Sequence, residues 1–341
     1  GFVISAFGGS SVQIAGPTAA FATIVAGIVA QDGLDGLVIS TILASIFLIL
    51  MGLCHFGSLI KFIPYTITTG FTSGIAVTIV IGQLKDFFGV TYPNGLKPIE
   101  TMEKLNAFAL GFSSFHVDAL IVGGVSLAIL IISPYIFKRI PGSLIAVVIG
   151  ILMVKFLPLH VSTIGNLYTI TNDLPSFHIP AVKFSMVKSS IPNAFTIAVL
   201  AAIESLLSCV VADGMINGKH RSDTELVAQG LGNIASALFG GIPATGAIAR
   251  TAANIKNGGR TPVAGMVHSI TLVIVLVVLM PFAGMIPMPT IAAILFVVAY
   301  NMCQWRTFVH MLKTAPKSDI IVLIVTFILT VVFDLVVAIE I

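Results

Sequence analysis

Two short stretches carry the residue types that could do chemistry, and they share one design. The first runs Gln13-Ile14-Ala15-Gly16-Pro17-Thr18-Ala19-Ala20-Phe21. The second runs Gly240-Gly241-Ile242-Pro243-Ala244-Thr245-Gly246-Ala247-Ile248-Ala249-Arg250-Thr251-Ala252-Ala253-Asn254. Each opens as a short extended run broken by Gly and Pro and then reads as a helix. The first helix covers residues 17–30 and is stopped by Gln31-Asp32-Gly33; the second is stopped by Asn257-Gly258-Gly259. Pro17 suits a first helical turn, where its missing N–H costs nothing. The second run is expected to span about 18–20 Å, less than the roughly 30 Å hydrocarbon core of a bilayer. Half-helices are tolerated at membrane depth only where their free ends line a protein cavity. A free helix N-terminus carries unpaired N–H groups and about half a positive charge, which suits an anion. Arg250 lies one turn inside the second helix. Two interrupted helices in corresponding positions of two halves point to a transporter's midplane site.

Other polar residues could serve such a site. Glu204 sits in the apolar run Ala198-Val199-Leu200-Ala201-Ala202-Ile203-Glu204-Ser205-Leu206-Leu207-Ser208. A charge at the bilayer centre costs roughly 2.5–3.5 kcal/mol on insertion scales, so it is retained for function or because it is paired. The functional reading is a proton-coupling carboxylate; the structural one is a partner of helix N–H groups or of Arg250. Arg250 in turn could clamp an oxyanion, support the helix dipole or neutralise Glu204. Thr18 and Gln13 read either as site polar groups or as a helix cap and a loop hydrogen bond. Ser208, one turn after Glu204, is a supporting partner or bonds back to its own backbone. Asp213, Asp223 and Glu225 surround Lys219-His220-Arg221 and read as a solvated loop. The histidines are scattered and none is assigned a role; Cys54, Cys209 and Cys303 form no disulfide framework or metal cluster. No metal, cofactor or catalytic residue is expected.

The elements that must position these residues are membrane helices. The 341-residue chain is 57% hydrophobic and 9% charged, with mean hydropathy +1.08. Soluble domains carry about 25% charged residues, so a soluble globular fold is excluded. The net charge of +3 is spread over loops and leaves no nucleic-acid footprint. Apolar spans are expected at residues 34–54, 62–82, 117–137, 143–157, 190–212, 262–285, about 290–303 and 318–334, with a last one starting near Leu335. Residues 223–239 have helical period. Residues 86–116 and 158–189 are expected to be long polar or mixed loops. Phe62-Ile63-Pro64-Tyr65-Thr66-Ile67 echoes Met285-Ile286-Pro287-Met288-Pro289-Thr290-Ile291, each following a half-helix, which suggests two repeats. With loops on alternate sides, Lys61, Lys138, Arg139, Lys219, Arg221, Lys256, Arg260, Arg306, Lys313 and Lys317 fall together on the side of the short loops, which should be cytoplasmic. Asp334 is flanked by apolar residues and is assigned no role. The chain is expected to be incomplete at both ends.

The motifs resemble the sulfate permease (SulP) family of anion transporters. The stretch Gln13 to Phe21 is similar to the family hallmark. Gln229-Gly230-Leu231-Gly232-Asn233, Phe239-Gly240-Gly241-Ile242-Pro243, Ala249-Arg250-Thr251 and Gly258-Gly259-Arg260-Thr261 resemble its second-repeat signature. The resemblance covers the whole chain. It implies an all-α polytopic membrane protein with the uracil-permease-like fold of seven plus seven helices in inverted repeats, its two half-helices preceded by short extended strands. It implies four segments: 1–57 core (late helix two to helix four), 58–189 gate (helices five to seven), 190–286 core (helices eight to eleven) and 287–341 gate (helix twelve to the start of fourteen). Helix one and the cytoplasmic STAS domain that usually follows are expected to lie outside this stretch.

The family's anion site would be formed by Pro17, Thr18 and Ala19 facing Gly246, Ala247 and Ile248, with Arg250 nearby, Glu204 for protons, and Gln13 and Ser208 in support. In sodium-driven bicarbonate members the Glu204 position resembles an Asp, helped by hydroxyls near Ser208 and Ile248. Glu204 and the apolar Ile248 depart from that pattern and resemble the proton-coupled sulfate and dicarboxylate branch. The implied activity is secondary transport by movement of core against gate, with sulfate leading and C4-dicarboxylate or bicarbonate behind. An uncoupled anion channel, exchanger or voltage-sensing motor is the second class. A nucleobase permease would want further site carboxylates. An intramembrane enzyme lacks HExxH or GxSxG. Implied partners are a small inorganic or organic anion, protons, the bilayer of a bacterial inner membrane and a second copy in a homodimer.

Overall fold

The computed structural model describes residues 1–18, 20–58, 64–96, 98–137, 140–169, 174–178 and 184–332. In chain order its helices are α1 (Phe2–Phe7), α2 (Ala20–Leu53), α3 (Tyr65–Phe88), α4 (Thr101–Gly111), α5 (Val117–Ile136), α6 (Gly142–Phe156), α7 (Ile164–Leu167), α8 (Phe184–Ile216), α9 (Ser222–Leu238), α10 (Ile248–Lys256), α11 (Val263–Ile274), α12 (Met280–Ala283), α13 (Met288–Cys303), α14 (Trp305–Thr314) and α15 (Lys317–Val332). Two-residue strands β1 (Ala15–Gly16) and β2 (Thr245–Gly246) precede α2 and α10. Among the described residues, 6 helical stretches are long and apolar enough to cross a membrane, counting α11 through α12 and α13 with α14 as one stretch each.

The described residues fall into two compact units. The first draws on Gly1–Tyr65 and Leu174–Ile274. In it α2 packs along α8 and α9, α10 lies on α8, and α1 lies against α9 and α11. A straight helix of 34 residues would measure about 51 Å, well beyond a bilayer core. Gly33 divides it: at φ 73° and ψ −172° the backbone adopts a region essentially restricted to glycine. The half-helix therefore ends where Gln31-Asp32-Gly33 suggested, but it continues through the kink into the next helix rather than through a loop. Residues Phe21, Leu48, Ile197, Leu200 and Leu226 are fully buried in this unit.

The second unit draws on Thr66–Asp173 and Val275–Asp334. Its centre is Phe87, Leu130, Ala146, Ala292 and Ala293, where α3, α5, α6 and α13 meet. Alanines let these helices approach closely, as membrane helix packing requires. The Ser126 and Thr290 hydroxyls, both buried, hydrogen-bond at 2.9 Å.

Several sequence expectations are corrected. Residues 86–116 are not simply a loop: they hold α4, with Thr101, Ala107 and Gly111 buried on one side. Aromatic contacts hold it, Phe108 lying 5.9 Å from Phe88 and 5.5 Å from Phe112 between ring centroids. The loop expected over 158–189 contains α7, and α8 begins within it at Phe184. The segment after α13 is a separate helix, α14, because Gln304 turns left-handed at φ 44° and ends α13. The span expected at 62–82 is α3, displaced to Tyr65–Phe88. Lys61, Phe62, Ile63, Lys138, Arg139, Asp334 and the span near Leu335 lie outside the described residues.

Candidate anion-binding site

The two motif stretches meet in the first unit. Strands β1 and β2 pair antiparallel, with Ala15 opposite Gly246 and Gly16 opposite Thr245. Antiparallel pairing sends the chain out at opposite ends, so α2 and α10 start from the same strand pair and run apart. Their N-terminal ends, each carrying about half a positive charge, converge on it. The pairing is extended by Ala247 N–H to the Ile14 carbonyl at 3.0 Å. Thr251 accepts from Ile14 N–H at 3.0 Å, and Asn254 donates to the Val12 carbonyl at 2.9 Å. Helix α10 has 9 residues, so it rises about 13.5 Å, shorter than the sequence suggested. No side chain caps its start, which leaves its first N–H groups for a ligand or water.

Helix α8 seats the strand pair. Thr245, fully buried, donates to the Ala201 carbonyl at 3.0 Å and meets the Ser205 hydroxyl at 2.8 Å. Ser205 also accepts from Gly246 N–H at 3.1 Å. Glu204, one residue earlier on α8, is 8% exposed. Its Oε2 accepts from the Thr18 hydroxyl at 2.8 Å. Thr18 thus binds the carboxylate rather than capping the half-helix with its side chain. Arg250 donates through Nη2 to the Pro17 carbonyl. Among the described residues the ion pairs involve histidine and Asp only, so Arg250 does not neutralise Glu204 by contact. One Arg250 donor is used on a carbonyl and four remain.

Pro17, Thr18, Glu204, Gly246, Ala247 and Arg250 are thereby linked through one strand pair and its hydrogen bonds. Ile248 is the first residue of α10 and is partly exposed. Ala19 lies outside the described residues. The Ser208 hydroxyl donates to Thr251 at 3.2 Å rather than to Glu204, tying α8 to α10. Gln13 is buried below the strands, donating to Glu225 Oε1 at 2.9 Å and accepting from the Cys209 thiol. It crosses close beneath Gly246, where a Cβ would stand 2.1 Å from Gln13 Nε2.

Glu225 is the clearest miss. Far from being solvated, it is 1% exposed. Its Oε2 accepts from Gly9 N–H at 2.8 Å and Ser10 N–H at 3.2 Å, and its Oε1 from Gln13 and from Gln229 at 3.0 Å. The signal lay in the spacing: Glu225, Gln229 and Asn233 recur every four residues, one face of α9, and all three are buried. Asn233 continues the row, bonding both the Ala244 N–H and carbonyl at 2.6 and 2.8 Å. Asp213 and Asp223 are likewise ordered, Asp213 on His220 at 2.7 Å and Asp223 on His55 at 2.9 Å. Among the described residues no cluster of His, Cys, Asp and Glu could hold a metal ion.

The helices of membrane-crossing length among the described residues fit an integral, multi-pass membrane protein. The transmembrane domain of a cyanobacterium bicarbonate transporter, BicA, superimposes with TM-score 0.83 at 30% identity, over 99% of this chain and 86% of that one. The structure of SLC26A9 shares the fold with TM-score 0.84 at 20% identity, over 99% of this chain and 57% of that one. The chain belongs to the sulfate permease family, whose model matches residues 1–326. It is 42% identical over 345 residues to the putative sulfate transporter YvdB of Bacillus subtilis (strain 168), covering 99% of this chain and 64% of YvdB. It is 32% identical over 350 residues to the bicarbonate transporter BicA of Picosynechococcus sp., covering 99% of this chain and 61% of that protein. The chain thus spans less than two thirds of the length of these relatives.

Proposed function

We propose that this chain is the membrane part of a secondary active anion transporter that takes up sulfate together with protons. The observation that carries the reading is the convergence of the α2 and α10 starts on β1 and β2, with Arg250 held at Pro17 and Glu204 held by Thr18. The charge tally supports a divalent anion. Each helix start offers about +0.5 and Arg250 +1, about +2 together. An ionised Glu204 lowers this to about +1; a proton on Glu204 restores it. A divalent oxyanion is then matched only when a proton enters with it, which is symport. The site's ligands are mostly backbone N–H groups and a guanidinium, the donors that suit oxyanions. The first unit is the core domain of a seven-plus-seven inverted repeat and the second its gate, and uptake follows from movement of core against gate. The protein acts in a bacterial inner membrane as a homodimer, and the similarity to a putative sulfate transporter favours sulfate.

Bicarbonate is the second reading, favoured by the similarity to BicA. A monovalent anion matches a site of about +1 without protonation, so its uptake would not need a proton gradient. Proteoliposomes separate the two: sulfate, succinate and bicarbonate uptake is measured with and without an acid-outside gradient. Sulfate uptake that rises with the gradient is expected, and Glu204→Gln should abolish the gradient dependence while counterflow exchange persists. Unchanged gradient dependence in Glu204→Gln removes the coupling role.

A further inference from the structure

Helix α14 belongs to none of the machinery above. It is a ten-residue helix set off from α13 by the left-handed Gln304 and followed directly by the apolar α15. Its inner side packs on α15, Phe308 and Phe327 ring centroids lying 5.3 Å apart. Its outer side exposes Arg306, His310 and Lys313. The spacing of four and three residues places them in one stripe along the helix. Trp305, 45% exposed, flanks the stripe, and the Arg306 guanidinium sits 5.7 Å from its ring centroid. Among the described residues neither Arg306 nor Lys313 has an acidic partner. Lys317 adds a further exposed cation at the start of α15, against one acid in the segment, Asp319, which accepts from Ser318 at 3.3 Å.

We propose that α14 is a docking strip for anionic phospholipid headgroups of the cytoplasmic leaflet. Apolar helices on both sides fix it at the bilayer surface. A basic stripe beside an interfacial tryptophan is the pattern of a helix lying in that surface. The loop also belongs to the basic set that the positive-inside rule assigns to the cytoplasm, where acidic lipids reside. Each such cation enriches acidic lipid by about fivefold near the surface. Free phosphate lacks the acyl chain that brings a headgroup to Trp305 and would be held no better than any other anion in solution.

Trp305 is the single tryptophan of the chain, so its fluorescence reports this helix alone. The chain is reconstituted in zwitterionic vesicles containing a minor fraction of brominated phosphatidylglycerol or, separately, of brominated phosphatidylcholine. Stronger quenching by the brominated anionic lipid is expected, several-fold in apparent affinity and reduced by high salt. The excess should vanish in Arg306→Gln/Lys313→Gln, return in Arg306→Lys/Lys313→Arg, and persist in Lys219→Gln, a loop cation of the first unit. Equal quenching by the two lipids, an excess that survives the double substitution, or its loss on adding inorganic phosphate at constant ionic strength overturns the proposal. Quenching by neither lipid would mean that protein covers the face, and overturns it as well.

Discussion

Gly246→Ala tests whether Gln13 sets the position of the strand pair. A Cβ at residue 246 would stand 2.1 Å from Gln13 Nε2, 2.7 Å from Gln13 Cδ and 3.0 Å from Ser205 Cα. Ordinary heavy-atom contact is about 3.5 Å or more, so the overlap with Nε2 is about 1.4 Å. Ser205 is backbone of α8 and cannot yield. Gln13 can swing away only by leaving Glu225 and the Cys209 thiol. A lost hydrogen bond to a charged group costs about 1.5–3 kcal/mol, and overpacking a tight core about 1–3 kcal/mol. The variant should therefore lose about 2.5–6 kcal/mol of stability, read as a lower unfolding midpoint in detergent. If instead Gln13 holds, β2 must move from β1 and the helix starts separate. A shift costing about 1.4 kcal/mol of binding lowers anion affinity about tenfold, read by calorimetry.

The decisive measurement is the double variant. Gln13→Ala removes the group that the added methyl strikes, so Gln13→Ala/Gly246→Ala should be less damaged than the sum of its parts. A coupling of about 1–3 kcal/mol is expected for residues in direct contact. Additivity within about 0.5 kcal/mol, or a Gly246→Ala variant with native stability and affinity, would refute the reasoning.

Two other substitutions probe the scaffold. Glu225→Ala strips the acceptor from Gly9, Ser10, Gln13 and Gln229; each stranded donor costs about 1–3 kcal/mol, so destabilisation of at least about 3 kcal/mol and faster amide exchange at Gly9 and Ser10 are expected. Native exchange rates at those two amides would show that Glu225 does not order the segment. Gly33→Ala meets no atom within 4 Å, so it isolates backbone strain at φ 73°. A cost of about 1–3 kcal/mol is expected, and a variant with an unchanged unfolding midpoint contradicts the assigned kink.

The helix starts were legible because Gly, Pro and a short apolar helix leave a local signature that needs no tertiary context. The same holds for Gly33, whose neighbours Gln31 and Asp32 break an otherwise apolar run. Pairing was not legible: nothing local says that Thr18 reaches Glu204 across 186 positions of sequence, or that Arg250 reaches Pro17 across 233. Glu225 was misread because its neighbours Asp213, Lys219, Arg221 and Asp223 are polar, and composition averages over faces. Counted by helical period instead, Glu225, Gln229 and Asn233 form a polar row on a helix whose Leu226 and Ala237 are also buried. That combination fits a buried hydrogen-bonded network, not a solvated loop. Helices α4 and α14 escaped for a related reason. Their sequences are too polar for a membrane span, and their apolar sides are satisfied by a few aromatic contacts, Phe108 with Phe88 and Phe308 with Phe327.

The two buried carboxylates of the first unit differ in what a proton would cost them, and this difference supports the proposed coupling role of Glu204. Among the described residues the Glu204 carboxylate has one hydrogen-bond partner, the Thr18 hydroxyl. A hydroxyl both donates and accepts, so when Glu204 takes a proton Thr18 need only rotate its O–H and accept the bond it had donated. Glu225 is ringed by N–H groups, two of them backbone amides of Gly9 and Ser10 that cannot turn round. A protonated Glu225 would find an acceptor only if the Gln13 or Gln229 amide turned over. For Gln13, whose side chain lies against Gly246, that breaks the contact with Cys209. Protonation at Glu204 therefore needs only a hydroxyl to rotate, while protonation at Glu225 needs a buried amide to turn over. The proposed proton symport calls for the first kind of site at its coupling residue and, to hold the helix starts in place meanwhile, for the second.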